Sequence, residues 1–429
     1  MPLIQINVRG ELINLDIDGK IKENFEFPFI RVLNCQGKMM KIMSIDIEGV
    51  GGINKLTLDF IDGVNVLCGP NGIGKSTILD IIADAFSSGS ASKLRRNALF
   101  EKGSYSITIE DTSGNPIQKS EIVNDFQPVA TTFRVGWQDM SNRLFSFGIE
   151  RNINYTKLQS ISPDPERKSY TNGQLAISGI HVDDIKNWFV NRYLFIDKTE
   201  SLAKEQMDNF ELAVRSFGIL DHSIKFKTVN ARSFDIELNT NTGDIYFEYL
   251  SSGYKSCIYI IFGIIKEIEY RFIENPIMAH NFDGVILIDE VDLHLHPTWQ
   301  AGLINALKII FPKAQFILTT HSPSILQVLE KNEIIALEHD DKGNTTVKDL
   351  QLGEYGLQGW TLEEILKDVM GMPSTTSQLY QDTINKFDEA LDEENVEDIK
   401  KYYNLLLKML HPNSVMRRLL QIQIAGFEE

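Results

Sequence analysis

Cysteine is scarce in this chain: three in 429 residues, at Cys35, Cys68 and Cys257, with no CxxC pair. Neither a disulfide framework nor a zinc ribbon can be built from that set. Long hydrophobic runs are also missing. The nearest, Ile258–Ile265, is too short to span a bilayer and is soon interrupted by Lys266 and Glu267. The opening residues lack a basic-then-apolar signal pattern, so the expectation is a cytoplasmic protein without membrane contact. Basic excess is absent as well. Forty-two Lys and Arg stand against 59 Asp and Glu, a net charge of -17, which argues against broad, unassisted coating of nucleic acid and leaves room only for a local basic groove. No internal repeat or heptad seam is visible, which excludes a long coiled-coil arm. What remains is an ordinary globular composition, 43% hydrophobic and 24% charged, long enough for two or three domains.

Against those absences one stretch stands out, Gly69-Pro70-Asn71-Gly72-Ile73-Gly74-Lys75-Ser76-Thr77. It has the G-x-x-x-x-G-K-[ST] form of a phosphate-binding loop. Apolar Val64-Asn65-Val66-Leu67 leads in, and Ile78-Leu79-Asp80-Ile81-Ile82 leaves with helical spacing, giving the strand–loop–helix setting the motif needs. Glycines let backbone N–H groups close around phosphate oxygens, and the following helix adds its positive end. Lys75 is then expected to reach the β- and γ-phosphates, and the Ser76 hydroxyl to ligate Mg²⁺. The ligand expected here is ATP or another nucleoside triphosphate.

Around that loop the chain divides into five stretches. Residues 1–40 alternate apolar and polar in short runs and read as a β-rich extension with a turn at Arg9-Gly10. Residues 41–115 open the nucleotide domain. Within them Ser87–Ser92 reads as a loop, and Lys93, Arg95 and Arg96 beside it form the best local candidate for touching a phosphate backbone. Residues 116–245 read as an inserted lobe, with strand-like Thr131–Val135, a polar Ser160–Asn172, and helix-like Val182–Val190 and Glu205–Gly218. Residues 246–350 close the nucleotide domain. Residues 351–429 read as a helical tail, with a capping box at Thr361-Leu362-Glu363-Glu364 and two amphipathic helices around an acidic turn, Asp388–Asp398.

Three features of residues 234–321 complete the expected site. Leu250-Ser251-Ser252-Gly253-Tyr254-Lys255-Ser256 follows a hairpin-like pair, Phe234–Leu238 and Ile245–Tyr249, and precedes an apolar helix. Gly284-Val285-Ile286-Leu287-Ile288-Asp289-Glu290 is a continuous apolar run ending in two carboxylates, as a strand buried on both faces reads. Ligands bind open parallel sheets at that carboxyl end. Asp289 is expected to hold Mg²⁺, and Glu290 to orient and deprotonate the attacking water. A further strand, Ala314–Thr320, delivers His321 toward the γ-phosphate. His294-x-His296 leaves a metal pair open as an alternative.

GPNGIGKST, LSSGYKS, GVILIDEVDLHLHP and FILTTHSPSIL, in this order, resemble the ABC-type ATPases. Within them the overcoming-lysogenization and RecF-like branch is most similar, over roughly residues 41 to 345. The resemblance implies an α/β, P-loop ATPase fold with a mixed, largely parallel sheet, an inserted helical lobe and a C-terminal helical hairpin. It also implies that two such domains pair head to tail around two ATP molecules. Ser251 and Gly253 of one subunit would then complete the site that Lys75 opens on the other. Gln138 is the candidate for the family's glutamine loop. The HLHP segment argues against a transporter.

The tail sharpens the likeness. Tyr355-Gly356-Leu357-Gln358-Gly359-Trp360, the following TLEEILKDVMGM and a small acidic helical hairpin resemble the PtuA-type ATPases of Septu and retron-linked anti-phage systems. Glu338–Gly343 reads as a hairpin turn and lacks the spaced acids of a topoisomerase-primase-type nuclease. The resemblance therefore implies an ATPase that controls a separately encoded nuclease, often of HNH type, with DNA or a retron RNA–DNA hybrid as a further partner. A DNA repair ATPase acting directly on DNA ends, and a scaffold for which ATP is a structural ligand, stay open beside it.

Overall fold

The computed structural model describes residues 4–8, 11–15, 40–89, 92–111, 113–129, 134–149, 155, 157–181 and 184–427. The chain divides between Lys38 and Met39 into a short first unit and a second unit carrying the rest. In the first, β1 (Ile4–Val8) pairs antiparallel with β2 (Glu11–Leu15). The Arg9-Gly10 turn between them lies outside the described residues, as do most of the strand expected at 131–135 and the start of the helix expected at 182–190.

The second unit opens with a hairpin, β3 (Lys41–Val50) and β4 (Ile53–Asp59), and then β5 (Val64–Cys68) feeds helix α1 (Lys75–Ala85). β6 (Gly103–Glu110) and β7 (Pro116–Val123) join the hairpin in an antiparallel sheet of order β4-β3-β6-β7. β8 (Leu144–Phe147) comes after them. A helical lobe is next, of α2 (Ser169–Ser178), α3 (Ile185–Phe195) and α4 (Lys204–Leu220), with the small sheet β9 (Lys225–Val229), β10 (Ile236–Thr240) and β11 (Gly243–Tyr246). Helix α5 (Ser252–Arg271) leads to β12 (Val285–Ile288), α6 (Pro297–Ile310), β13 (Gln315–Thr319), α7 (Pro323–Leu326), β14 (Ile334–His339) and β15 (Thr345–Val347).

The main sheet has the order β15-β14-β5-β13-β12-β8, parallel throughout except for β15. It is buried on both faces because its strands alternate between two cores. Val64, Val66, Phe145, Ile286, Ile288, Phe316 and Leu318 face the helices α3 to α6. Leu67, Leu144, Val285, Leu287 and Ile317 face α1 and the antiparallel sheet. That is why Val285–Ile288 is apolar without a break. The stretch 116–245 is not all insertion: Pro116–Val123 extends the antiparallel sheet, and Leu144–Phe147 is the edge strand of the main sheet.

Gln315 fastens the two sheets. Its buried amide accepts from the Ile42 N–H at 2.8 Å and donates to the carbonyls of Ile42 (2.9 Å) and Ile61 (3.0 Å).

In the tail, Thr361 and Glu364 form the expected capping box at α8 (Leu362–Glu364), which passes into a π-turn at Ile365–Val369. Helices α9 (Gln378–Asp392) and α10 (Val396–Met409) make the hairpin, and α11 (Val415–Ile424) packs on it through Leu420 and Ile424. The turn is only Glu393-Glu394-Asn395, since the acids expected there lie largely on exposed helical faces, which they do not break.

Replacing Gln315 with Leu keeps the volume but removes these three bonds, leaving the Ile42 N–H and carbonyl without the amide while the Ile61 carbonyl keeps Asn65. The expected loss is about 2–3 kcal/mol of stability, read by urea unfolding.

Candidate nucleotide site

The loop after β5 turns on glycines whose conformations and surroundings exclude a side chain. Gly69 has φ +135°, and a Cβ there would overlap the Leu337 carbonyl oxygen on β14. Gly74 caps α1 at φ +105°, with Ile53 2.5 Å from where its Cβ would be. Gly72, at φ +78°, has open space on that side. Pro70 and Asn71 form the outer turn, Ile73 is buried beneath it, and Thr77 packs under Gly51.

Lys75 opens α1, and its buried ammonium donates to the carbonyls of Gly69 and Pro70 at 2.9 Å each. Burial lowers its pKa, against the pull of Asp289, Glu290 and Asp292. Burial also pushes the Cys68 thiol up to about 12, with Lys75 opposing.

Across the site, the ends of β12 and β13 lie beside the loop. Ser76 Oγ donates to Asp289 Oδ1 at 3.0 Å, and Thr319 Oγ1 donates to the same oxygen at 2.6 Å. The Glu290 N–H donates to Thr319 Oγ1 at 2.7 Å, and Glu290 sits at φ +46°. His321 comes after β13, its N–H on Asp292 Oδ1 at 3.1 Å. Partial burial and then Lys75 lower the imidazole pKa, with Asp292, Glu290 and Asp289 opposing. On α1, burial raises Asp80 to about 6, with Lys93 opposing and Asp289 and Asp84 adding to the rise.

Lys75, Ser76, Asp289, Glu290 and His321 thus converge, as their motifs suggested. Ser251 and Gly253 do not join them within this chain. Ser251 caps α5, its Oγ accepting the Tyr254 N–H at 3.3 Å, and is exposed. Gly253 is buried in the first turn, where a Cβ would meet the His294 carbonyl at 3.2 Å. Among the described residues no hydrogen bond links either one to residues 69–77.

The surroundings of three other candidates are now visible. His296 is a helix cap, its Nδ1 3.0 Å from Thr298 Oγ1, and no cluster of three or more His, Cys, Asp or Glu suited to a metal occurs among the described residues. Arg95 is engaged by the carbonyls of Ser92, Leu94, Gln127 and Pro128, and Arg96 by that of Phe100 and the Phe126 ring. Gln138 begins a short 3₁₀ turn ahead of β8. The residues that motif reading passed over are Thr319, Thr320 and Asp292. Their signal was two adjacent hydroxyls at a strand end and a third acid two positions past Glu290.

Among the described residues no helix is long and apolar enough to cross a membrane.

The glycines set a graded prediction. Gly69→Ala is expected to weaken ATP binding at least about a hundredfold, because it adds to its own backbone strain the need to move the loop off Leu337. Gly72→Ala carries only its left-handed strain of about 1–2 kcal/mol. Titration with a fluorescent ATP analogue measures both, and equal effects contradict this reading.

A family described as "AAA domain, putative AbiEii toxin, Type IV TA system" matches residues 64–327. The "Septu protein PtuA" of Bacillus thuringiensis is 46% identical over 391 residues, covering 91% of this chain and 99% of the relative. A protein of the same name from Bacillus mycoides (strain KBAB4) is 25% identical over 331 residues, 71% of this chain and 42% of the relative. The "Retron Vc95 probable ATPase" of Vibrio cholerae is 33% identical over 134 residues, 29% of this chain and 26% of the relative. The family match spans both the loop and the carboxylate strand, and the Bacillus thuringiensis likeness runs almost end to end. The chain belongs to the AAA domain family so described and, within it, to the PtuA family of Septu proteins.

Proposed function

We propose that this chain is the ATP-hydrolysing subunit of an anti-phage defence complex, and that it assembles with and controls a separately encoded nuclease. The observation that carries the hydrolytic part is the junction of Ser76 and Asp289, 3.0 Å apart, with Glu290 next in sequence and Lys75 next to Ser76. The defence part rests on the relatives named Septu and retron proteins.

The backbone N–H groups of residues 72–76 and the Lys75 ammonium take the phosphates, Lys75 leaving its two loop carbonyls to do so. Ser76 Oγ and Asp289 Oδ1 are hard oxygen donors brought together, with the Glu290 carboxylate next in sequence. That set fits Mg²⁺, which when bound neutralises charge on the transferring phosphoryl group. Glu290 accepts a proton from water as its oxygen bonds the γ-phosphorus and the bond to the β–γ bridging oxygen breaks. In this reading His321, whose imidazole pKa is lowered by partial burial and Lys75, donates to the γ-phosphate.

In this reading Ser251, exposed at the positive end of α5, meets the nucleotide of a second subunit, and a homodimer or a higher homo-oligomer is the working form. In this reading the partner nuclease is of HNH type, and the RNA–DNA hybrid of a retron or DNA is a further ligand. The engagement of Arg95 and Arg96 within the chain disfavours direct coating of DNA by that face.

Glu290→Gln is expected to lower ATP turnover about 10²- to 10³-fold and to accumulate an ATP-bound dimer. Phosphate release and light scattering read the two effects, and unchanged turnover refutes the hydrolytic role. Purification after expression with its genomic neighbours tests the partner. A co-eluting nuclease supports control of an effector, and a clean homodimer with neither nuclease nor nucleic acid rejects it.

A further inference from the structure

The turn that carries Glu290 is held by side chains of the next strand. Past the last pair of parallel strands, Ile288 opposite Leu318, the Val291 N–H bonds the Thr319 carbonyl at 2.9 Å. The Thr319 hydroxyl uses both of its capacities: it accepts from the Glu290 N–H and donates to Asp289 Oδ1. One residue on, the Thr320 hydroxyl donates to Asp292 Oδ1 at 2.6 Å and accepts from the Ser322 N–H at 3.0 Å. Asp292 Oδ1 also takes the His321 N–H. So each strand end reaches across to the other, Thr319 toward Glu290 and Asp292 toward His321.

The need for this is local. Glu290 lies in the left-handed region, φ +46°, which a side-chain-bearing residue adopts only under backbone strain and only where the surroundings over-determine it. The Thr319 hydroxyl and carbonyl supply two of the hydrogen bonds that do so. Without them the turn can relax toward an ordinary conformation, and the carboxylate moves with it. A shift of about 1 Å in a group that must aim a water at phosphorus costs on the order of a hundredfold in rate.

We propose that Thr319 and Asp292 are positioning residues for ATP hydrolysis. They form a clamp that fixes Glu290 and His321 relative to each other, so that the water and the γ-phosphate are addressed by one rigid unit. The proposal rests on the hydrolytic reading above, and it asks for two different chemistries. Thr319 needs a hydroxyl, because it must accept and donate. Asp292 needs only an accepting oxygen, because Oδ1 receives both bonds.

The experiment compares Thr319→Val, Thr319→Ser, Asp292→Ala, Asp292→Asn and Glu290→Gln in the full chain. For each, kcat and KM for ATP are measured, along with affinity for a fluorescent ATP analogue and the melting temperature. Thr319→Val is expected to lose about ten- to a hundredfold in kcat with ATP affinity within about threefold, and Thr319→Ser to restore most of the rate. Asp292→Asn keeps one accepting oxygen and is expected to run well above Asp292→Ala. A Thr319→Val protein with undiminished kcat overturns the clamp, as does a Thr319→Ser protein as slow as the valine variant, or a loss wholly in ATP affinity. If a variant melts early, its serine or asparagine counterpart carries the comparison at a temperature where both are folded. Loss of turnover in Glu290→Gln with a fully active Thr319→Val rejects the clamp and leaves the hydrolytic reading standing. Equal turnover in wild type and Glu290→Gln rejects both.

Discussion

With β5, β13 and β12 paired side by side and in parallel, Leu67 lies opposite Thr319 and Ile288 opposite Leu318. The chain therefore leaves all three strands at one edge of the sheet. The segments after them, residues 69–77, 289–292 and 320–321, have to meet there. The register turns three segments that are distant in the chain into one site, and no loop has to be long to do it. Short connections held to a buried sheet are also what keeps such a site stiff enough for phosphoryl transfer, where catalysis is mostly positioning.

That sheet is rigid because both of its faces are covered. Its two sets of alternating side chains belong to two separate cores, one under the helical lobe and one under α1 and the antiparallel sheet. Two buried side-chain amides bind backbone groups of this interior. Asn65 exchanges bonds with Ile61 and donates to the Phe316 carbonyl. Gln315 does the same between sheets. In the lobe, Glu269 receives Trp188 Nε1 and Arg192 Nε, and burial still raises its pKa, Arg192 notwithstanding. The lobe is packed by rings as well: Phe189 stacks on Phe262 at 5.3 Å, with Phe210 and Phe217 beside them. Helix α5 lies in the middle of all this, buried over nearly its whole length. At its start stands the exposed Ser251, so the packing of the lobe fixes where that residue is presented.

Much of this was legible in the sequence, for reasons that differ from motif to motif. The phosphate loop was readable because its chemistry forbids substitutes: at Gly69 the Leu337 carbonyl leaves no room for a Cβ. The carboxylate strand was readable because burial on both faces erases the usual alternation. Other elements gave no such sign. Leu144–Phe147 is four residues long, too short for a period to register, and only its pairing with Val285–Ile288 makes it a strand. Lys225–Val229 alternates as a half-buried edge strand does, but over five residues the signal is short, and it is the pairing with Ile236–Thr240 that makes it a strand. Helix α11 hides behind an apolar residue on nearly every side: Val415, Leu419 and Ile422 are exposed while Leu420 and Ile424 are buried. Thr319 and Asp292 are common residue types whose meaning lies wholly in what the neighbouring strand presents to them.

The tail shows the same limit at longer range. Its capping box and its left-handed Gly371, φ +70°, are local features, and the first was visible in TLEE. Where the segment packs was not. Ile365 and Val369 of the π-turn are buried in the lobe-side core, which they share with Ile325 and Leu326 of α7, the helix that begins just after His321. On the other side, a Cβ on Gly371 would stand 3.0 Å from Pro70 Cγ in the phosphate loop. The segment therefore rests on both the loop at Pro70 and the helix beyond His321. Packed interiors pass small displacements on, because neighbours cannot be compressed. Residues 365–371 therefore stand between the phosphate loop and the start of α9, which closes with α10 and α11 around a small core of its own.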